Sequence, residues 1–166
     1  CSDRKFAMNL KLDFFTPEEF FLNEERTDKY QLNSFDPTTF KIINQKLVID
    51  KEDIEMIILV GCPGSGKSTF AKKYFKEYIY INQDKLKTKN NCLRLCQQSL
   101  EHNESVVIDN TNPDKEIRKQ YIDIAKKFKY SIKCFYMNVD KDLGKHMNHY
   151  RFKKSDGKRK LIPDIG

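Results

Sequence analysis

An eight-residue stretch, 61–68, limits the possible folds of this chain more than any other part of the sequence. It reads Gly-Cys-Pro-Gly-Ser-Gly-Lys-Ser and follows an apolar run at 56–60. Its glycines can adopt backbone conformations that other residues avoid, so the loop can wrap with its amide groups facing inward. Apolar residues then recur at helical spacing at Phe70, Ala71 and Tyr74. The pattern predicts a buried strand, a tight loop and a helix in direct succession.

The same stretch fits the spacing G-x₄-G-K-[ST], in which a glycine-rich loop cradles phosphate groups. Its inward-facing amides and the positive end of the following helix favour an anion. In such loops the ammonium, here Lys67, reaches the β- and γ-phosphates, and the hydroxyl, here Ser68, binds Mg²⁺. We therefore predict that the chain binds a nucleoside triphosphate with Mg²⁺; the alternative is an ordinary glycine-rich turn. The predicted nucleotide-binding residues are Gly61, Cys62, Pro63, Gly64, Ser65, Gly66, Lys67, Ser68 and Thr69.

Strand-like and helix-like segments alternate from residue 55 onward. Further strand patterns lie at 78–82, 105–109 and 132–137, with helical spacing between them. Because this alternation packs as right-handed βαβ units, we predict an α/β fold of the P-loop NTPase type, with a central parallel sheet flanked by helices. An irregular N-terminal segment precedes it. Ligands of such sheets bind at the carboxyl ends of the strands.

The charge is unevenly distributed and suggests a boundary near residue 54. Residues 1–54 carry 8 Lys/Arg against 11 Asp/Glu, whereas residues 55–166 carry 23 against 13, a net charge of +10. A basic surface of this kind attracts phosphate polymers or anionic lipid, and the alternative is a solvated Lys-rich face.

In the first segment, Thr16, Pro17 and Glu19 have the spacing of a capping box and predict a helix start.

Two acids follow predicted strands and are candidates for chemistry. Asp109 closes the strand at 105–109, where a carboxylate orients Mg²⁺, so we predict Ser68 and Asp109 as the metal ligands. The alternative is that Asp109 caps the next helix, although Asn112 is expected to supply that cap. Asp84 follows the strand at 78–82 and is the candidate general base for a hydroxyl acceptor. Its alternative is a helix N-cap.

Phosphoryl transfer also needs a cation that offsets charge on the transferring oxygens. Arg151 lies on the basic segment after the last predicted strand, where P-loop kinases carry a lid, and Arg118 is the other candidate.

Composition excludes several classes of protein. No run of about 18 apolar residues is present, so we expect no membrane-spanning segment. The N-terminus has no apolar segment typical of a secretory signal and no initiating Met, so we expect a piece of a longer protein. The spacing of the five cysteines predicts no zinc site, and Cys92 and Cys96 are expected to be buried reduced thiols, which fits a cytosolic or nuclear compartment.

Several blocks together resemble a known family. The loop at 61–69 is followed by Asn-Gln-Asp at 82–84, by Asp-Asn-Thr-Asn-Pro-Asp at 109–114, and by Arg118 and Tyr121. This order resembles the kinase domain of the bifunctional polynucleotide kinase 3′-phosphatases. The N-terminal segments Ser-Asp-Arg-Lys-Phe-Ala at 2–7 and Phe-Thr-Pro-Glu-Glu-Phe-Phe-Leu at 15–22 resemble the tail of that family's phosphatase domain and the linker that follows it.

The resemblance implies an adenylate-kinase-like domain at 55–166, truncated at its C-terminus, after a phosphatase tail and interdomain linker at 1–54. It implies transfer of the γ-phosphate of ATP to 5′-hydroxyl ends of DNA in strand-break repair, with Asp84 as the base, Lys67 and Arg151 on the phosphates and Mg²⁺ as the metal. The implied partners are DNA ends, whether single-stranded, nicked or double-stranded, and DNA-repair scaffold proteins. The implied location is the nucleus, with mitochondria as a second compartment.

The sequence also departs from that family. Gln83 stands where many relatives have Arg, so one phosphate-facing cation is absent, and Lys87 is the candidate replacement. The phosphatase half, whose chemistry uses an Asp-x-Asp nucleophile motif, is not represented, and we expect no 3′-phosphatase activity.

Two other functions compete with a DNA kinase. One is a non-catalytic, ATP-dependent module that binds DNA ends or partners, which would keep the loop but would not need Asp84. The other is a P-loop kinase for RNA or a small molecule. The net charge of residues 55–166 favours a polymer over a small molecule and does not separate RNA from DNA.

Overall fold

Four apolar segments form strands in the computed structural model, which describes residues 2–26, 30, 47–156, 158 and 161–162. Within that part of the chain the strands are β1 (Glu55–Val60), β2 (Ile79–Ile81), β3 (Val106–Asp109) and β4 (Ser131–Tyr136). They form one sheet in the order β2-β3-β1-β4, and every neighbouring pair is parallel. The predicted parallel α/β fold is confirmed.

Two helices, α1 (Ser2–Leu10) and α2 (Pro17–Phe21), precede the first strand. The helices between the strands pack on both faces of the sheet, and one more helix follows β4. They are α3 (Lys67–Tyr74), α4 (Gln83–Leu86), α5 (Lys89–Glu101), α6 (Lys115–Lys127) and, after β4, α7 (Lys141–Lys154). Over the described ranges, no helix is long and apolar enough to cross a bilayer.

Alternate residues of the central strands fill two separate cores. Ile58 and Ile108 face α5 and α6, where Tyr121, Cys92 and Cys96 are buried. Both thiols are free, as the sequence predicts. The other core holds residues 57, 59 and 107 of the sheet together with Ala71 and Phe75 on and after α3. Because β1 is buried on both faces, the loop that follows it is anchored to a strand that is packed on both sides.

The backbone divides into two compact units, residues 1–43 and 44–166. In the first unit, the predicted capping box forms: Thr16 Oγ1 accepts from the Glu19 amide at 3.2 Å, and Glu19 accepts from the Thr16 amide at 2.8 Å. Helix α1 was not predicted from the sequence. On this helix, the guanidinium of Arg4 lies 4.7 Å from the ring centroid of Phe14 and 4.1 Å from that of Tyr30.

Neither the expected cap of α6 nor the alternative cap of α4 considered from the sequence is the one observed. The N-cap of α6 is Asp114, so the expectation that Asn112 caps this helix is wrong. Asn112 is instead buried at 1% exposure with a positive φ of 46°, and its amide donates to the carbonyl of Leu59 at 2.8 Å. The N-cap of α4 is Asn82, whose Oδ1 accepts from the Lys85 amide, so Asp84 does not cap this helix.

Candidate functional site: the phosphate-binding loop and the acids beside it

The loop between β1 and α3 adopts the conformation that its glycines permit. Gly64 and Gly66 have φ values of +83° and +92°, in the region that side chains avoid, and Gly66 is the N-cap of α3. The Gly61 amide donates to the Thr111 carbonyl at 3.2 Å, which ties the start of the loop to the segment after β3. The loop therefore opens at the carboxyl edge of the sheet, between its two central strands, where ligands of such folds bind.

Lys67 is the first residue of α3, and its ammonium folds back into the loop. Its Nζ donates to the carbonyls of Gly61 and Cys62 at 2.8 Å each and lies 3.3 Å from Ser65 Oγ. Burial lowers the pKa of Lys67, the nearby Asp109 carboxylate opposes that shift, and Arg151 adds to it. Asp109 and Arg151 therefore both lie close enough to act on this ammonium.

Asp109, at the end of β3, is 2% exposed and is held by groups from β2 and its flank. The hydroxyl of Tyr80 donates to Asp109 Oδ2, and the amide of Asn82 donates to the Asp109 carbonyl at 2.6 Å. Burial, followed by the hydrogen bond to Asp109, raises the pKa of Tyr80, so Tyr80 keeps its proton; Ser68, at the start of α3, lies near enough to oppose that shift. The two predicted metal ligands, Ser68 and Asp109, thus both lie close to Tyr80, and Asp109 is held by its hydroxyl.

Asp84 lies in the first turn of α4, and its side chain is exposed. The amide of Gln83, the residue before it, donates to Asn110 Oδ1 at 2.8 Å, which fixes this turn against the end of β3. The Asp84 carboxylate is close enough to Tyr80 for its charge to raise the pKa of that phenol. Lys87 Nζ lies 3.3 Å from the Asp84 carbonyl, so the candidate replacement cation stands on the same turn.

Arg151 reaches the loop from α7. Close packing brings this helix there: a Cβ placed on Gly64 would lie 2.4 Å from the Gly144 carbonyl, and a Cβ on Gly144 would lie 2.7 Å from Cys62 Sγ. One turn further along, Asn148 Oδ1 accepts from Arg151 Nη2 at 3.1 Å. Arg151 Nε is buried without a hydrogen-bond partner. An unpaired guanidinium donor beside a phosphate-type loop fits an anionic ligand.

The second candidate cation, Arg118, occupies a different position. Its Nη1 donates to the carbonyls of Asn112 and Pro113, at 2.7 Å and 2.5 Å, so it braces the turn before α6. This role leaves Arg151 as the cation that the structure brings to the loop.

The sequence does contain one Asp-x-Asp triplet, Asp140-Lys141-Asp142. Asp140 is the N-cap of α7, and its Oδ1 accepts from the amides of Asp142 and Leu143 at 2.9 Å and 3.3 Å. These are the hydrogen bonds of a helix N-cap, so the first Asp of this triplet serves to start α7.

Three side chains of the site were not found by sequence reasoning: Tyr80, Asn112 and Asn148. For Tyr80 a signal was present, because Tyr80 and Tyr78 alternate with Ile79 and Ile81, and the two pairs pack in different cores. Period-2 alternation therefore places the Tyr80 hydroxyl on the face of the sheet that α3 covers. Asn112 and Asn148 bond across elements, and local pattern carries no signal for such contacts.

Comparison with known proteins agrees with this architecture. A protein of Acanthamoeba polyphaga mimivirus named for a bifunctional polynucleotide phosphatase/kinase is 40% identical over 178 residues, which cover 99% of this chain and 42% of that protein. The bifunctional polynucleotide phosphatase/kinase of Schizosaccharomyces pombe is 38% identical over 170 residues, 99% of this chain and 41% of that protein. These names confirm the resemblance drawn from the sequence, and the chain spans about two fifths of the length of these relatives.

A solved structure, that of a Pnkp1/Rnl/Hen1 complex, has the same fold. It superposes with a TM-score of 0.51 at 18% identity, over 71% of this chain and 43% of that one. The AAA domain family matches residues 56–163, which include the described strands, except for the first residue of β1, and the phosphate-type loop. Because this match covers more than half of the sequence, the chain belongs to the AAA domain family.

Proposed function

We propose that this chain is an ATP-dependent polynucleotide 5′-hydroxyl kinase that phosphorylates DNA ends during strand-break repair. The observation that carries the proposal is a set of side chains around one loop. Asp109 and Arg151 lie close enough to Lys67 for their charges to act on it, and a hydrogen bond from the Gln83 amide to Asn110 ties the turn that carries Asp84 to the end of β3. The names of the two relatives, both polynucleotide phosphatase/kinases, support a polynucleotide as the acceptor.

The arrangement suits phosphoryl transfer to a hydroxyl. The Asp84 carboxylate accepts the proton of the 5′-hydroxyl while that oxygen forms a bond to the γ-phosphorus of ATP. The bond between the γ-phosphorus and the bridging oxygen breaks, and ADP leaves. Lys67 and Arg151 offset the charge on the transferring oxygens. Asp84 is exposed, so the end of a DNA strand can reach it. Lys67 is buried within the loop, where the phosphate groups of ATP, which are smaller, can reach it.

The donor set fits Mg²⁺ brought in with the nucleotide. Ser68 and Asp109 offer a hydroxyl and a carboxylate, the hard oxygen ligands that this ion prefers. Among the residues that the structure describes, no group of three His, Cys, Asp or Glu side chains could hold a metal alone. This agrees with an ion that takes its remaining ligands from phosphates and water and that neutralises phosphate charge when bound.

The proposal also covers the cellular compartment and the protein partners. We expect the enzyme to act in the nucleus, with mitochondria as a second compartment, and to work beside DNA-repair scaffold proteins. The phosphatase chemistry in the relatives' names is not proposed for this chain, whose Asp-x-Asp triplet forms a helix cap.

The test is transfer of label from ATP carrying a labelled γ-phosphate to a 5′-hydroxyl oligonucleotide in the presence of Mg²⁺. Wild type should label the 5′-hydroxyl oligonucleotide and leave a 5′-phosphorylated one unlabelled. Asp84→Asn should lower kcat by about 10²- to 10⁴-fold because the general base is lost, with ATP affinity unchanged. Asp123→Asn, the same change at an exposed acid on α6, is the matched control and should label at the wild-type rate.

The other outcomes discriminate among the alternatives. ATP binding without label on DNA, RNA or nucleosides would support a non-catalytic module. Label on RNA alone would move the substrate to that polymer. Wild-type kinetics for Asp84→Asn would rule out this residue as the base.

A further inference from the structure

Tyr80 stands at the centre of the site, although the proposed chemistry assigns it no step. It lies in β2, on the strand face that α3 covers. Its hydroxyl donates to Asp109 Oδ2, and Ser68 and the Asp84 charge both lie near enough to act on its phenol. Lys85 Nζ lies 4.9 Å from the centroid of its ring. One side chain thus contacts or adjoins residues from α3, α4 and β3.

The hydrogen bond to Asp109 has a direct mechanical effect. A carboxylate has two equivalent oxygens and turns about its terminal bond, so its direction is poorly defined unless one oxygen is fixed. A hydroxyl that donates to a charged oxygen forms one of the stronger hydrogen bonds in proteins. Because Tyr80 holds Oδ2, the direction of the second oxygen of Asp109 is set as well.

The second predicted metal ligand, Ser68, lies near the same phenol. Ser68 is exposed at the start of α3, the helix that follows the loop, whereas Asp109 belongs to β3. The two residues come from elements that are not joined directly in sequence. Because Tyr80 fixes the Asp109 carboxylate, it fixes the direction of one predicted ligand relative to the loop and helix that carry the other.

We propose that Tyr80 is a positioning residue: its hydroxyl holds one oxygen of Asp109 and so sets the direction of the other toward the cation that accompanies the triphosphate. The inference rests on the proposed function, since it assigns Tyr80 a part in nucleotide-dependent Mg²⁺ binding at the same site. Tyr80 has no assigned contact with the substrate hydroxyl or the transferring phosphate; it acts through Asp109.

A second tyrosine provides a matched comparison within the same strand region. Tyr78 also donates its hydroxyl to a buried carboxylate, that of Glu55, which has 0% exposure. Glu55 begins β1, however, so this bond lies at the opposite edge of the sheet from the loop. Tyr78→Phe and Tyr80→Phe each remove one oxygen from one tyrosine–carboxylate pair and keep the ring.

The experiment compares wild type, Tyr80→Phe and Tyr78→Phe in two measurements. The first is kinase activity on a 5′-hydroxyl oligonucleotide as a function of Mg²⁺ concentration. The second is binding of a non-hydrolysable, fluorescent ATP analogue across the same Mg²⁺ series and without Mg²⁺. Thermal unfolding of all three proteins reports whether a change is only one of stability.

Tyr80→Phe should bind the analogue as wild type does without Mg²⁺. It should need about fivefold more Mg²⁺ to reach half of the Mg²⁺-dependent increase in binding, and its kcat should fall by about 10- to 100-fold, because a hydrogen bond to a charged group is lost. Tyr78→Phe should keep the wild-type Mg²⁺ midpoint and kcat. An unchanged Mg²⁺ midpoint in Tyr80→Phe, or an equal shift in Tyr78→Phe, overturns the proposal.

The two measurements separate this inference from the proposed function. If wild type transfers no phosphate to any polynucleotide, the proposed function fails, and the binding series still tests Tyr80. If wild type is an active kinase and the Mg²⁺ midpoint of binding does not move in Tyr80→Phe, the function stands and the role of Tyr80 is refuted.

Discussion

The charged side chains at the loop depend on one another. Lys67 is buried, which lowers its pKa, and Asp109 nearby compensates in part. Arg151 is close enough to lower the pKa of Lys67 further, and its Nε has no partner. Two cations facing one cleft repel each other, so a bound polyphosphate, which carries the opposite charge, relieves that repulsion.

Arg151 should matter more as a guanidinium than as a charge. Arg151→Ala should lower kcat by about 10²- to 10³-fold, the usual cost of losing one donor to developing charge. Arg151→Lys should recover only part of the loss, because an ammonium lacks the planar fork that binds two phosphate oxygens. Steady-state kinetics at saturating ATP will check this; full activity in Arg151→Lys would show that charge alone suffices.

Thiol reactivity should separate the core from the surface. Burial raises the pKa of the Cys96 thiol to about 12, and burial also raises the pKa of Cys92. At pH 8 we expect iodoacetamide to modify the exposed Cys134, although partial burial of its sulfur raises the pKa of that thiol as well. Cys92 and Cys96 are buried and should be spared until the protein unfolds, because the reagent must reach the sulfur in its thiolate form. Peptide mass spectrometry of native and unfolded samples will measure this; rapid native labelling of Cys96 would contradict it.

The raised pKa of Cys96 also makes the free energy of unfolding depend on pH. The folded state holds the Cys96 proton to about pH 12, whereas the unfolded chain releases it near pH 9. The free energy of unfolding should therefore fall as pH rises between these values, because the folded state binds more protons. Cys96→Ala should make that decline shallower in urea titrations.

At the scale of elements, the contact between α7 and the loop determines whether Arg151 reaches the site. The helix approaches at Gly144, where a side chain would collide with Cys62, and Asn148 donates to the Ile162 carbonyl at 2.7 Å. Close packing of this kind fixes the position of a helix to a fraction of an ångström. The orientation of Arg151 thus depends on a glycine seven residues before it.

Gly144→Ala should separate α7 from the loop, because its Cβ would lie 2.7 Å from Cys62 Sγ. We expect kcat to fall about tenfold or more, since small displacements of catalytic groups are costly. Removing the sulfur should make room, so Gly144→Ala should cost less in a Cys62→Ala background. A double-mutant cycle on kcat will measure this coupling; additive effects would rule out the steric explanation.

At the scale of the whole molecule, the excess positive charge belongs to the part of the chain that forms the sheet. Residues 55–166 carry a net charge of +10, whereas residues 1–54 carry −3. Cations that contact a nucleic acid release its condensed counterions, so the binding is weakened by salt. The distribution favours an acceptor with several phosphates over a small molecule.

The KM for the acceptor should therefore depend on salt and on strand length. If the chain contacts about three phosphates of a single strand, KM for a long oligonucleotide should rise about tenfold or more between 50 and 200 mM KCl. This follows because the logarithm of the binding constant falls linearly with the logarithm of the salt concentration, with a slope proportional to the number of phosphates contacted. KM for a dinucleotide should change much less. Equal salt dependence for both acceptors would mean that the strand beyond the first nucleotides is not bound.

The sequence by itself determined the parts of this protein that depend on local periodicity. Residues within a few positions of one another account for the loop at 61–68, the strands before and after it, and the capping box at Thr16. Steric limits on φ and the spacing of apolar side chains act over that same range, so these elements could be predicted.

Only the tertiary structure decided which of the polar residues meet. The strand order β2-β3-β1-β4 brings Tyr80 to Asp109 across 29 positions of sequence, and it buries Asn112 against Leu59 across 53. The same packing assigns Arg118 to a turn and Arg151 to the loop. Contacts of this kind depend on the order of strands and the seating of helices, which are set by the packing of the whole core and not by the residues beside each position.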